Sequence, residues 1–109
     1  MEITAPNWVK KMSECLTALV RDQVGEACAV VDYELVTDAA RLPEEMRVWF
    51  ILRTRRDQDY FRQIELTRNR AKLTKLMLAA HFPDEAIASL QVRVTSRDEI
   101  DGGNFSFSR

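Results

Sequence analysis

Alternate positions of residues 49–55 hold a tryptophan, an isoleucine and two arginines. This spacing places side chains on one face of a β-strand. The stripe consists of Trp49, Ile51, Arg53 and Arg55. Aromatic and arginine side chains on an open sheet face anchor protein partners or stack on nucleic-acid bases. The stripe therefore predicts a surface that binds a protein partner or a second copy of the chain, unless another part of the chain, such as its C-terminal hairpin, covers it.

A basic segment provides a second candidate binding surface. Residues 53–75 carry eight Lys or Arg and three Asp or Glu, whereas the whole chain carries 16 and 17. The cations that fall on the predicted second helix are Arg68, Arg70, Lys72 and Lys75. Such a small set predicts weak, salt-sensitive binding to nucleic acid or another polyanion, since few phosphates would be contacted. A solvated helix face is the alternative interpretation of the same residues.

Acidic residues on the neighbouring strands argue against nucleic acid as the partner of the stripe. Asp32 and Glu34 belong to the strand expected beside Trp49, and Glu65 belongs to a third predicted strand. Cross-strand pairs between these acids and the arginines contribute about 0.2–1 kcal/mol each and cancel the local field. Protein contact is therefore the favoured function, as an adaptor or a chaperone-like dimer.

Residues suited to catalysis are few, and we expect a protein that is not an enzyme. His81 is the single histidine, and its position at a predicted helix end favours a structural or capping role. Cys15 and Cys28 form no C-x-x-C pair, so both are expected to be free thiols. The sequence predicts neither a cofactor nor a metal site, and the motifs of phosphate-binding loops are missing.

Length and composition indicate one α+β domain over residues 1–109, with 46% hydrophobic residues available for a core. The longest apolar run, residues 48–52, is far shorter than the roughly 20 residues that span a bilayer. The first residues lack the features of a secretory signal. These features predict a cytoplasmic protein that does not enter the membrane.

Periodicity assigns the elements in the first half of the chain. Apolar residues recur at helical spacing over residues 6–24, and Gly25 provides the stop signal. Residues 29–36 and 46–56 alternate with a period of two and predict strands, joined by a loop through residues 38–45.

Residues 60–67 fit either a third strand or an early start of the next helix. The strand is favoured because a three-residue loop would set Leu52 opposite Ile64 and Phe50 opposite Leu66. A helix over residues 68–81, a short helical turn over residues 84–90 and a hairpin turning at residues 101–103 complete the prediction.

The predicted fold is thus an N-terminal helix, an antiparallel three-stranded meander, a second helix and a C-terminal β-hairpin, with the helices packed on one sheet face. This order is similar in outline to several small α+β binding folds, among them the acidic, dimeric chaperones of type III secretion. The likeness rests on architecture alone.

Overall fold

The computed structural model describes residues 5–37 and 46–107. Its helices are α1 (Ala5–Asp22), α2 (Arg55–Tyr60), α3 (Leu66–Ala79), α4 (Asp84–Ser89) and α5 (Arg97–Asp101), and its strands are β1 (Asp32–Thr37), β2 (Met46–Leu52) and β3 (Gln91–Ser96). A π-helical segment, Phe61–Glu65, joins α2 to α3. The loop predicted over residues 38–45 lies outside the described residues, as do the chain ends.

The three strands form a mixed sheet in the order β1-β2-β3. β1 is antiparallel to β2, whereas β3 is parallel to β2. Parallel neighbours need a long crossover connection, and the helices between β2 and β3 supply it. The predicted α+β class is therefore confirmed, but the predicted meander is wrong beyond its first two strands.

Residues 60–67 are helical, so the predicted third strand is wrong. Thr54 caps α2 by accepting a hydrogen bond from the Asp57 amide at 3.1 Å. From there the core-facing positions follow helical spacing, and the π turn accommodates the five-residue step from Phe61 to Leu66. The residues on this inner side are Gln58, Phe61, Leu66, Asn69, Leu73 and Met77.

The predicted C-terminal hairpin is also wrong. β3 forms as predicted over residues 91–96, but its partner is β2, and the chain then enters α5. Ser96 caps this helix by accepting from the Glu99 amide at 3.2 Å. The spacing of Ser96 and Glu99 is that of a capping box, a signal already present in the sequence. The likeness to the secretion chaperones depends on the predicted order of elements. Because neither the three-stranded meander nor the hairpin forms in the described part of the chain, that basis no longer holds.

The hydrophobic core lies between one face of the sheet and the two long helices α1 and α3. α1 contributes Trp8, Met12, Leu16 and Leu19, α3 contributes Leu73 and Met77, and β2 contributes Met46, Val48, Phe50 and Leu52. The first helix is confirmed to within two residues at each end, and Gly25 follows it with a φ of 88°. No helix in residues 5–37 and 46–107 is long and apolar enough to cross a membrane.

Candidate functional site

Trp49 lies on the outer face of the sheet and is covered by the end of its own chain. Phe105 and Phe107 pack on its ring with centroid distances of 5.0 and 6.0 Å and nearly perpendicular planes. The Trp49 indole N–H donates to the Phe107 carbonyl at 2.8 Å. Trp49 is only 4% exposed as a result. The predicted binding stripe therefore has its central residue enclosed within the monomer.

The other members of the predicted stripe do not form one surface with Trp49. Ile51 is buried at 5% exposure. Arg53 follows the end of β2, and Arg55 begins α2, where its backbone amide donates to Asp98 at 3.0 Å. The strand ends at Leu52, so the period-two pattern stops applying before the two arginines.

The acids expected to face the stripe are distributed differently from the prediction. Glu34 pairs with Trp49 across β1 and β2, which is one of the predicted registers. Asp32 forms an ion pair with Arg97 of α5 at 3.6 Å. Glu65 belongs to the π-helical segment and lies 4.0 Å from Arg68. Glu65 is therefore not a neighbour of Trp49 on a third strand.

The four cations of the second predicted surface separate into two groups. Arg68 and Lys72 border a polar cleft with Glu26, and Lys72 and Lys75 border a second cleft with Asp22. Arg70 points to the other side of α3 and donates to the Leu90 carbonyl at 3.2 Å. The clefts bring acids from α1 and the turn after it close to the cations.

A line of exposed residues that the sequence analysis missed runs along the outer side of α2, the π-helical segment and α3. This helical seam consists of Tyr60, Ile64, Thr67, Ala71 and Leu78. Tyr60, Ile64 and Leu78 are 49%, 58% and 52% exposed. Thr67, Ala71 and Leu78 follow α-helical spacing on α3. Tyr60 and Ile64 precede them across the π-helical segment. The pattern was hidden because residues 60–67 were assigned to a strand.

A groove lies beside β3 at the edge of the sheet. Its volume is about 480 Å³, and its lining residues are Trp49, Arg62, Leu66, Val92, Arg93 and Val94. Arg62 donates to the Val94 carbonyl at 2.9 Å, and the Arg93 guanidinium lies 5.9 Å from the centre of the Trp49 ring. Two positioned cations therefore border an apolar floor.

A buried polar network connects the end of α1 to α3. Gln23 donates to the side-chain oxygen of Asn69 and accepts from the Val30 amide at 3.1 Å. Asn69 in turn donates to the Glu65 carbonyl at 2.9 Å, at the end of the π-helical segment. Asn69 is 2% exposed, so these bonds replace water for groups that would otherwise be costly to bury. The network fixes the position of α3 against the turn that follows α1.

Cys28 is the thiol closest to ionisable groups, but its environment keeps it protonated. Its sulfur donates to Asp57 Oδ1 at 3.4 Å. Burial raises the pKa of the Cys28 thiol, and the hydrogen bond to Asp57 raises it further. The thiolate is the nucleophile in cysteine chemistry, so a raised pKa makes Cys28 a poor one at neutral pH. Cys15 is buried in the core, and burial likewise raises its pKa.

His81 lies just beyond α3, at the end opposite to Cys28 and Asp57. α3 has 14 residues, which corresponds to about 21 Å at 1.5 Å per residue. This length separates the histidine from the thiol end of the helix. The described part of the chain contains no group of three or more His, Cys, Asp or Glu residues placed to hold a metal ion.

No protein-family model matches this chain, and no curated protein or solved structure is significantly similar to it.

Proposed function

We propose that this chain is a non-enzymatic protein-interaction module, and that its partner presents an amphipathic helix to the helical seam. The observation that supports the proposal is the exposure of Tyr60, Ile64 and Leu78 on the solvent side of α2, the π-helical segment and α3. Helices that dock on such a face do so through anchors at the same three-, four- and seven-residue spacings. Thr67 and Ala71, which are small, lie between the larger residues and allow the partner helix to approach closely.

The residues beside the helical seam favour a partner with acidic flanks. Arg68 has 70% of its side chain exposed, and Lys75 is exposed on the same side of α3. Arg70 is exposed on the other flank. Complementary charges at the rim of an interface speed association and select against partners of like charge. A second copy of this helix would bring the same cations together, so a different, acidic helix is the better fit.

The helical seam takes the place of the Trp49 stripe as the proposed contact surface. Trp49 and Ile51 are covered within the monomer, whereas Tyr60, Ile64 and Leu78 contact solvent. Exposed apolar residues interspersed with charged ones along a helix surface can serve as anchors for a protein partner. The expected class of function is thereby retained, and its location moves from the sheet to the helices.

Photo-crosslinking from the helical seam tests this proposal. A benzophenone amino acid at Thr67, in the chain expressed in its own host, would form an adduct with a helical segment rich in Asp or Glu. A synthetic peptide of that segment would then bind the purified chain. Ile64→Asp would weaken the peptide about tenfold or more, because a carboxylate would be buried in an apolar contact.

Val24 supplies the matched control, since it is 79% exposed and lies in the turn after α1. The crosslinker at position 24 should not give the same adduct, and Val24→Asp should leave peptide binding unchanged. An adduct between two copies of the chain would replace the proposed partner with self-association. Adducts from position 67 that persist unchanged in Ile64→Asp would contradict the proposal.

The exposed cations of α3 favour a second candidate function, the binding of nucleic acid or another polyanion. Arg68 and Lys75 lie on one side of the helix, but the acids Asp22, Glu26 and Glu65 lie close to this cationic side. Binding of this kind would weaken steeply with salt, because the release of condensed counterions is less favourable at higher salt concentration. A gel-shift titration of nucleic acid at low salt, with the parent chain and with Arg68→Glu/Lys75→Glu, tests this second function. A shift that is the same in both proteins would rule out binding through these cations.

A further inference from the structure

The groove beside β3 combines features of a ligand site that the proposed helix docking does not use. Its volume of about 480 Å³ falls within the roughly 300–1,000 Å³ of small-molecule sites. The Val94 side chain belongs to the core, whereas Leu66 and Val92 are the partly exposed apolar residues of the groove. Arg62 and Arg93 supply the charges in its lining.

Each guanidinium group makes one contact within the chain that favours a particular orientation, although both side chains are exposed. Arg62 donates to the Val94 carbonyl at 2.9 Å, which leaves its remaining N–H groups available to a ligand. Arg93 lies over the face of Trp49 at 5.9 Å from the ring centre. Trp49 itself is fixed by its bond to the Phe107 carbonyl. Side chains that are already ordered lose less conformational entropy when they bind.

Glu65 and Glu34 do not pair with these arginines, whereas Glu99 lies near Arg62. Gln58 donates both to Glu99 and to the Val94 carbonyl that Arg62 binds. Glu65, three residues after Arg62, lies 4.0 Å from Arg68. Glu34 faces Trp49 from β1, and Arg93 faces Trp49 from β3, so two strand spacings of about 4.8 Å separate Glu34 from Arg93. The groove lining itself contains no carboxylate.

We propose that this groove binds a carboxylate that carries an apolar chain, of the kind that a medium-chain fatty acid presents. The planar guanidinium groups match the two oxygens of a carboxylate. The apolar tail would lie on Leu66 and Val92. The carboxylate would lie between Arg62 and Arg93, next to the edge of Trp49.

Tryptophan fluorescence can report binding directly, because Trp8 and Trp49 are the two tryptophans of the chain. In a Trp8→Phe background, decanoate below its micelle concentration should change the Trp49 emission in a saturable way. Decanol has the same chain without the charge and should bind about tenfold more weakly or worse, since it cannot form the charged hydrogen bonds that a carboxylate makes with the arginines. Equal affinity for the two probes would overturn the proposal.

Arginine variants test the assignment, with calorimetry as a second readout that does not depend on Trp49. Arg62→Gln and Arg93→Gln should each weaken decanoate about tenfold or more and leave decanol unchanged. Arg21→Gln, an exposed arginine at the end of α1, is the matched control and should have no effect. Arg62→Lys keeps the charge without the planar fork and should fall between wild type and Arg62→Gln. Wild-type affinity for decanoate in both glutamine variants, or no saturable binding to the parent chain, would refute the site.

Discussion

Trp49 and Phe107 are joined by a hydrogen bond of 2.8 Å from the indole N–H to the main-chain carbonyl. This bond ties the central strand of the sheet to the last residue that the structure describes. Residues 104–107 belong to neither a helix nor a strand, so side-chain contacts hold much of this segment in place. Phe105 and Phe107 also contact each other edge to face at 4.8 Å. A small aromatic cluster thus covers Trp49 on the outer face of the sheet.

Removing both phenylalanine rings should uncover Trp49. Phe105→Ala/Phe107→Ala should lower the free energy of unfolding by about 2–4 kcal/mol, less than two fully buried rings would lose, because both side chains are partly exposed. In a Trp8→Phe background, the Trp49 emission should shift to longer wavelength in the folded state. Urea denaturation and emission spectra measure the two effects.

Val24→Ala serves as the control for this pair, since it removes an apolar side chain from an exposed position. Its effect should stay within about 0.5 kcal/mol. Unchanged Trp49 emission in the double alanine variant would show that the C-terminal segment is not what excludes water from the indole.

Gln58 is a buried polar residue that we expect to be dispensable for stability. Its Oε1 atom is buried without a hydrogen-bond partner, while its Nε2 donates to the Val94 carbonyl at 3.3 Å and to Glu99 Oε2 at 3.5 Å. The Val94 carbonyl also accepts from Arg62. The Glu99 carboxylate also accepts from Thr95, so both acceptors keep a donor when Gln58 is replaced. Gln58→Met conserves the shape and removes the orphan acceptor, and it should change the free energy of unfolding by less than about 1 kcal/mol.

Asn69→Leu provides the contrast in the same denaturation experiment. It would leave the Gln23 side chain and the Glu65 carbonyl without their present partner, at a cost of about 2–4 kcal/mol. If Gln58→Met were as destabilising as Asn69→Leu, Oε1 would have to be bonded to a buried water.

The helix-or-strand error at residues 60–67 shows which part of the fold periodicity could predict. The predicted strand places Leu66 on the inner face of the sheet and Phe61 on the outer face, whereas the π turn brings both residues to the core side. Their five-residue spacing is one that regular α-helix templates do not contain. The capping signals at Thr54 and Ser96 favour helices at both disputed places. The capping residues therefore predict the two helices that the alternation of apolar residues does not.

The candidate sites depended on this same assignment. The period-two pattern correctly placed Trp49 on the outer face of the sheet, opposite Val48 and Phe50. What covers that face depends on contacts between residues 58 positions apart, which local pattern cannot specify. The helical seam and the groove at Arg62 exist only once residues 60–67 are helical, so sequence reasoning placed neither.

His81 occupies a left-handed position that a glycine would fill with less strain. Its φ is 68°, and it follows Ala80 at the end of α3. The Phe82 amide donates to the Met77 carbonyl at 3.1 Å, and the His81 amide donates to the Leu78 carbonyl at 3.1 Å, which together form a Schellman motif. His81→Gly should raise the free energy of unfolding by about 0.5–1 kcal/mol, because relief of the strain exceeds the added entropy of the unfolded chain.

His81→Val is the opposing variant in thermal denaturation. A β-branched side chain tolerates positive φ poorly, so this variant should unfold at a lower temperature than wild type. A His81→Gly variant that is less stable than wild type would indicate that the imidazole makes a stabilising contact of its own.

Cys28 should be slow to alkylate, and Asp57 should be a cause of that slowness. Burial raises the pKa of the Cys28 thiol, as do the hydrogen bond to Asp57 and the charges of Asp57 and Glu65, while Arg56 lowers it. In a Cys15→Ala background, Asp57→Asn should speed iodoacetamide alkylation of folded Cys28 about threefold to tenfold at mildly alkaline pH, because the thiolate fraction rises. Asp59→Asn is the matched control, since Asp59 is an exposed acid of the same helix.

The raised pKa of Cys28 also makes the stability of the folded chain depend on pH. The protonated thiol stabilises the folded chain below the ordinary thiol pKa of about 8.5, and this contribution is lost as the pH rises through the higher pKa of the folded state. The free energy of unfolding should therefore fall more steeply with alkaline pH in the parent than in Asp57→Asn. Equal alkylation rates for Asp57→Asn and Asp59→Asn would show that the carboxylate of Asp57 does not act on the thiol.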